Sequence, residues 1–390
     1  MSITIESLIE SFFILVAGWF VVSVIGKRIN LRSMRIAQLY LWHSFFGVVY
    51  AVTVVSIGGD ATQYYEDALT NDSEFAPGAS AVTALAEIPA AHLGLSFLAT
   101  SLSFSILGCI GLILFDSALK STVRTKTRLT QKMASMIVLL PSLNFWSSGL
   151  GKDSLAFLAV SSILWSLQRI SARSFVLVCG CLILFCVRPH ILAFLVLALV
   201  ATTVLDRKSS FLSKSTIYAV TILCGYSLVP LAAKYVGLDD PSSISTINEY
   251  ISTRQGLNLG GGSSLDISTM SLPAVVFSYM YRPLFFDAHN SLALASSFDN
   301  GILLLLSIGY LISALNKKKR NYRINKTALL FGYSALVWMG TALTTANLGI
   351  AVRQKWMFVP ALLLLYFDSR RDRHPDIAQI NRPRSNSLTQ

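Results

Sequence analysis

The chain has 390 residues, of which 53% are hydrophobic and only 13% are charged, and its mean hydropathy is +0.59. These values exclude an ordinary soluble protein and predict a membrane protein with many spanning segments. A net charge of +12 would suggest nucleic acid as the partner of a soluble protein, but in a membrane protein the placement of the basic residues decides their meaning, and we expect no nucleic acid partner.

Glu6 and Glu10 stand at the start of the first apolar run, where a signal peptide would carry basic residues, so we expect the run to remain as a helix. A spanning helix needs roughly 20 apolar residues, and about eleven runs approach that length. The prediction is an all-α polytopic transmembrane helix bundle over residues 1–368, with a basic, disordered cytoplasmic tail over 369–390. The runs lie at about 8–26, 36–57, 92–118, 133–149, 154–168, 174–188, 190–205, 215–236, 291–315, 327–346 and 355–368.

Orientation follows from the basic residues, which favour the cytoplasmic side. With the N-terminus outside and the C-terminus inside, all but seven of the 32 basic residues fall in cytoplasmic segments. The two larger outer loops then cover about 58–91 and 237–290. The seven outer cations oppose the general rule and need another explanation. They are Lys152, Arg188, Lys234, Arg254, Arg282, Arg353 and Lys355.

A polar corner, Pro-Ser-Leu-Asn-Phe-Trp-Ser-Ser-Gly-Leu-Gly-Lys-Asp at 141–153, separates two apolar runs. Its proline and glycines interrupt helical structure, and Lys152 and Asp153 stand in the first turn of the next predicted helix. Such a helix start favours a phosphate group, especially beside a lysine. The alternative is that Lys152 is an interfacial anchor and Asp153 an ordinary helix cap.

Two other corners place an arginine directly before a proline, at Arg188-Pro189-His190 and at Arg282-Pro283. Arg353-Gln354-Lys355 adds two cations at the start of the last run. Arginine carries a fork of donors that suits phosphate oxygens. Any one of these cations alone is explained by contact with lipid headgroups. Together they predict one cationic pocket on the outer face, in which Lys152, Arg188, Arg282 and Arg353 converge.

Asp60 follows two glycines directly after the second run, and a carboxylate at that depth predicts a functional residue, with a general base on a sugar hydroxyl as one role. The alternative is a cap for the following helix. Arg282, Asp287, His289 and Asn290 fall together near aromatic residues, which indicates either a sugar site or an interfacial aromatic belt. We expect Asp299 to face the bundle interior.

The five cysteines lie in apolar runs without CxxC spacing, and no histidine pairs with carboxylates at ligand spacing. We therefore expect no disulfide, no metal site and no cofactor, with a loop-bound divalent ion as the alternative. The cysteines are Cys109, Cys179, Cys181, Cys186 and Cys224.

Several of these segments together resemble multi-spanning bacterial polysaccharide-assembly proteins. The chain is similar to O-antigen and exopolysaccharide polymerases of the Wzy type and to glycosyltransferases of the C superfamily. The resemblance rests on Gly59-Asp60 with Tyr64-Tyr65, the 141–153 corner, Arg188-Pro189, the segment 282–290 and Arg353-Gln354-Lys355. It implies that Asp60 is the base. The resemblance to the polymerases implies a functional role for Arg188, Arg254, Arg282 and Arg353. The resemblance to their ligase relatives implies one for Arg282 and His289.

The resulting hypothesis is an enzyme of the bacterial cytoplasmic membrane that joins polyprenyl-pyrophosphate-linked oligosaccharides at its outer face. The alternatives are a transporter or flippase of the same lipid, or an O-antigen ligase-like transferase. Membrane lipids and other polysaccharide-assembly proteins are the further expected partners. The catalytic candidates are Asp60, Arg282 and His289, and the substrate-binding candidates are Lys152, Asp153, Arg188, His190, Arg254, Asp287, Asn290, Arg353 and Lys355.

Overall fold

A computed structural model describes residues 4–70, 75–205, 263–267, 269–315 and 324–370, with a few isolated positions between 206 and 262. These residues are helical apart from short connections, which confirms the all-α prediction. The helices are α1 (Ile5–Arg28), α2 (Ser33–Ile57), α3 (Asp60–Thr70), α4 (Ala79–Glu87), α5 (Phe97–Val123), α6 (Arg128–Ile137), α7 (Pro141–Ser147), α8 (Lys152–Ser166), α9 (Ile170–Val187), α10 (Pro189–Leu205), α11 (Leu272–Tyr281), α12 (Ser291–Leu315), α13 (Ile324–Thr344), α14 (Leu348–Gln354) and α15 (Val359–Asp368).

Within the described residues, six helices are long and apolar enough to cross a membrane, namely α1, α2, α5, α9, α12 and α13. A seventh span forms if 348–357 and Val359–Asp368, which meet at 56°, are taken as one bent element. The structure is therefore that of a helical membrane protein. The predicted span at 215–236 and the tail beyond residue 370 lie outside the described residues.

One predicted span, 133–149, is wrong as a continuous helix. The amphipathic helix α6 ends at Ile137, and α7 begins anew at Pro141 after a turn. Proline has no backbone N–H and clashes with the preceding helical turn, so it begins a helix rather than continuing one. The predicted span at 154–168 corresponds to the 15-residue α8, which is about 22 Å long and buried on nearly all sides.

The centre of the bundle is α5, which is buried along most of its length between α1, α2 and α8. Its direction opposes that of α2. At one end of the bundle, Tyr65 of α3 packs its ring edge-on against Phe97 at the start of α5. At the other end, Arg35 of α2 pairs with Asp116 near the end of α5. We call these ends the Asp60 face and the Arg35 face.

The last helices close the bundle against α5. Helix α13 packs on α10 and α11, and α15 packs on α13 and α5. The end of α15 is fixed by the buried Lys126, whose Nζ donates hydrogen bonds to the carbonyl oxygens of Asp368 at 2.8 Å and Arg370 at 3.0 Å. A lysine at a helix C-terminus satisfies carbonyl groups that have no partner within the helix.

Candidate functional site

The 141–153 corner is held between α2 and α5 by very close packing. A Cβ atom on Gly108 of α5 would lie 1.8 Å from the carbonyl oxygen of Ser147. A Cβ atom on Gly149 would lie 2.0 Å from the ring of Tyr50 on α2. Only glycine fits at these two positions, so the corner is fixed relative to both helices.

Polar contacts also hold the start of α7. The buried His43 of α2 contacts Asn144 Oδ1 through Nδ1 at 3.2 Å, and Asn144 Nδ2 donates to the carbonyl oxygens of Val138 and Leu140 at 3.0 and 2.9 Å. His43 is completely buried. These contacts satisfy the buried carbonyl groups left over by the turn between α6 and α7.

Four charged side chains on the Asp60 face form a continuous row of ion pairs. Asp153, in the first turn of α8, accepts a hydrogen bond from Arg188 Nη2 at 2.9 Å and forms an ion pair with Arg353 Nε. Arg353 Nη2 donates to Asp60 Oδ2 at 2.7 Å. We call Arg188, Asp153, Arg353 and Asp60 the ion-pair row. Its members come from four distant parts of the chain, so only the tertiary fold assembles them.

The row becomes more exposed along its length. The Arg188 side chain is 9% exposed and that of Asp153 is 14%, whereas Arg353 is 23% and Asp60 is 52% exposed. Asp60 is the first residue of α3, and Gly58 and Gly59 precede it with φ values of +80° and +159°. Asp60, the most exposed member of the row, therefore follows two glycines that can adopt backbone conformations closed to other residues.

Lys152 lies close enough to interact electrostatically with all four members of the row. Its burial, and then the charge of Arg188, lower the pKa of Lys152 to about 8. Burial alone would raise the pKa of Asp60, but the charge and hydrogen bond of Arg353 outweigh it, so the pKa lies below its ordinary value. With three cations and two carboxylates, the site has a surplus of positive charge.

Aromatic residues surround the row. The Arg353 guanidinium lies 6.0 Å from the centre of the Trp146 ring, and both residues line a cavity of about 10 Å³, which is room for about one water molecule. Tyr50 and Tyr64 also interact with the charges of the row. Tyr50 was not among the residues predicted from the sequence. The available signal was a tyrosine inside an apolar helix, about two turns before the end of α2.

Arg282 does not join the row as predicted. Its Nε and Nη2 bind both carboxylate oxygens of Asp287 at 2.9 and 2.7 Å, and among the described residues no ion pair links it to Asp60 or Asp153. His289 is exposed beside this pair, and Asn290 accepts a hydrogen bond from the Ala293 N–H at 2.8 Å, as a helix cap does.

Lys355 is also separate from the row, because it is completely buried. Its Nζ donates to Asn300 Oδ1, while the neighbouring Asp299 accepts a hydrogen bond from the Ser142 N–H at 2.6 Å. The interior position predicted for Asp299 is confirmed. This buried cluster links α12 to the start of α7 and to the segment after Arg353. It therefore fixes the 141–153 corner and the Arg353 segment from the interior of the bundle.

The remaining candidates are less informative. His190 is half-buried in the first turn of α10, next to Arg188. Arg254 lies outside the described residues. Asp153 is not the helix cap of α8, because Gly151 occupies that position. In the part of the chain that the structure describes, no cluster of three histidine, cysteine or acidic residues has the arrangement of a metal site.

Comparison of the chain with protein-family models, with curated proteins and with solved structures found no significant match. The site itself therefore carries the functional inference.

Proposed function

We propose that the protein is a membrane glycosyltransferase that joins polyprenyl-pyrophosphate-linked glycan units, as in O-antigen or exopolysaccharide synthesis, at the outer face of the bacterial cytoplasmic membrane. The observation that carries the proposal is the ion-pair row with Lys152 beside it. Charged side chains from four distant segments meet at one end of an apolar bundle, and charged residues gathered in a membrane-spanning bundle usually serve a function.

The cations suit a pyrophosphate. Arginine binds phosphate oxygens through paired donors, and Lys152 adds a point charge at the N-terminus of α8. The bond that breaks joins the anomeric carbon of the sugar to a pyrophosphate oxygen, which acquires negative charge as it leaves. Preorganised cations that stabilise this charge are the largest electrostatic contribution expected in such a reaction.

Asp60 is the general base in this scheme, but its ion pair with Arg353 makes it a weak one. A pyrophosphate that binds Arg353 competes with Asp60 for the same donor. Once released, Asp60 has a higher pKa and accepts the proton of the acceptor hydroxyl as that oxygen attacks the anomeric carbon. Donor binding thus activates the base. Asp153 keeps Arg188 in place while Arg353 changes partner.

Arg282 and His289 lie outside the reacting centre in this proposal. Nε and Nη2 of Arg282 both bind Asp287, and we interpret this pair as a structural clamp for the segment before α12. Lys355 has a structural role for the same reason.

The test uses full-length protein in lipid nanodiscs and polyprenyl-pyrophosphate-linked oligosaccharide extracted from the source organism. Growth of the oligosaccharide, with release of polyprenyl pyrophosphate, supports the proposal. A protein that leaves the oligosaccharide unchanged but moves it across the bilayer of proteoliposomes is a transporter, which overturns the proposal.

A further inference from the structure

A second charged region lies on the Arg35 face, at the opposite end of the bundle from the ion-pair row. Helix α6 runs along this face with Thr130, Ala134 and Ile137 buried against the bundle. Its other side carries the exposed residues Arg128 and Lys132, one turn apart. Helix α6 therefore has the amphipathic pattern of a helix that lies in a membrane interface.

A groove of about 560 Å³ separates α6 from the start of α2, and Arg35, Arg128 and Lys132 contribute its positive charge. Arg35 is fixed, because its guanidinium donates to Asp116 Oδ1 at 2.6 Å and to the Ser135 carbonyl at 2.7 Å. Arg128 and Lys132 have no hydrogen bond or ion pair with the described residues. Their charges remain available to a ligand.

The groove continues into an apolar one of about 470 Å³, lined by Gln38, Leu41, Trp42 and Leu139. The Trp42 ring is held there by a hydrogen bond from its Nε1 to the Leu139 carbonyl oxygen at 2.9 Å. Farther along α2, Phe45, Val48 and Val52 are exposed at helical spacing. A charged pocket thus leads into an apolar track directed toward the bilayer interior.

We propose that this groove binds one anionic phospholipid. The phosphate lies between Arg128 and Lys132, and an acyl chain follows Leu41, Trp42 and Phe45 along α2. The residues that line the charged groove include no acid. The nearby Asp116 is already neutralised by Arg35 and Lys120. Charge complementarity selects an anionic headgroup, and the apolar continuation distinguishes a lipid from a soluble phosphate.

The test is native mass spectrometry of delipidated full-length protein titrated with phosphatidylglycerol, phosphatidylcholine or glycerol phosphate. We expect one retained phosphatidylglycerol, with the other two ligands bound much more weakly. The double variant Arg128→Gln/Lys132→Gln should bind phosphatidylglycerol about tenfold or more weakly, because two attractive charges are lost.

The matched control is Lys27→Gln/Arg28→Gln, which removes the same charge from exposed positions at the end of α1, on the same face. It should bind phosphatidylglycerol as the parent protein does. Equal retention of phosphatidylcholine, displacement of the lipid by glycerol phosphate, or equal loss in both double variants would overturn the proposal. So would a dimer that forms through α6 without retained lipid.

Discussion

Arg353 connects the two carboxylates of the site, and its geometry explains why an arginine stands there. Its Nε faces Asp153 while Nη2 reaches Asp60, so one guanidinium holds two acids in different directions. A lysine ammonium is a single point charge and cannot reproduce that arrangement. Arg353 lowers the pKa of Asp60, and a substrate anion has to compete with Asp60 for the same guanidinium.

The replacement Asp60→Asn keeps the size and hydrogen-bonding reach of the side chain but removes the proton acceptor. We expect turnover to fall by about 10²- to 10⁴-fold, because that is the usual contribution of a general base. The measurement is polymer formation from purified lipid-linked oligosaccharide at matched protein levels.

The controls for Asp60 are Glu66→Gln and Asp67→Asn, which change exposed residues of the same helix. They should leave turnover nearly unchanged. Near-normal polymer from Asp60→Asn would remove its catalytic role, whereas loss in all three variants would indicate a disturbed α3.

Arg188 and Arg282 allow a direct comparison of two paired arginines. Replacing Arg188 by lysine should reduce activity by about 10²-fold or more, because it weakens both the contact with Asp153 and the binding of phosphate oxygens. Arg282→Lys should leave the maximal rate largely intact and lower thermal stability, since among the described residues Arg282 forms its ion pair with Asp287. A larger kinetic loss in Arg282→Lys than in Arg188→Lys would argue against the site proposed here.

Lys152 adds a dependence on pH. Because its pKa is lowered to about 8, the free protein loses this positive charge as the pH rises through that value. Affinity for a pyrophosphate ligand should therefore fall above about pH 8. Arginine stays protonated there, so Lys152→Arg should abolish the fall, as measured by titration with the lipid-linked donor. A fall of the same size in Lys152→Arg would assign the titration to another group.

Among the structural elements, the corner between α7 and α8 is fixed by packing more than by hydrogen bonds. Its shape requires that Gly149 has no side chain, because the Tyr50 ring fills the space. Gly151 is only two residues farther along the chain. A Cβ atom on Gly151 would have the Tyr64 ring as its nearest neighbour, at 3.9 Å.

We expect Gly149→Ala to destabilise the protein by about 1–3 kcal/mol, the usual cost of overpacking a buried position. Gly151→Ala should have little effect, since the added methyl group enters open space. Thermal unfolding in detergent, followed by tryptophan fluorescence, compares the two variants. Equal melting temperatures would show that Tyr50 moves away without cost.

The 133–149 segment differs most from the structure predicted for it. Apolar residues continue from the end of α6 into α7 with no polar segment between them. The sequence therefore predicted one helix where the structure has two. Pro141 was noted as a helix breaker, yet the turn before it became evident only from the hydrogen bonds of Asn144.

For the molecule as a whole, composition was sufficient to predict a helical membrane protein, because few charges and long apolar runs permit little else. The side-chain partners were not predictable. Arg353 and Lys355 are two residues apart and chemically similar, but a helical backbone directs them about 200° apart, so one enters the ion-pair row and the other the interior. Arg282 pairs with Asp287 instead of joining the row, because only four residues separate the two and the pair forms locally.

The predicted orientation is testable by cysteine labelling. In a variant whose native cysteines are replaced by serine, a cysteine at Glu66 should react with an impermeant maleimide in intact spheroplasts. A cysteine at Lys132 should react only after permeabilisation, because it lies on the Arg35 face and the basic residues favour the cytoplasm. The reverse pattern would invert the topology and place the ion-pair row in the cytoplasm.

The late position of Arg353 in the chain has a consequence for synthesis. Asp60 and Asp153 enter the membrane region long before the ribosome reaches Arg353, and Asp299 precedes its neighbour Lys355 in the same way. A nascent chain that stops before α14 therefore exposes carboxylates without these counter-charges. Such a chain should therefore be less stable in the membrane than the full-length protein.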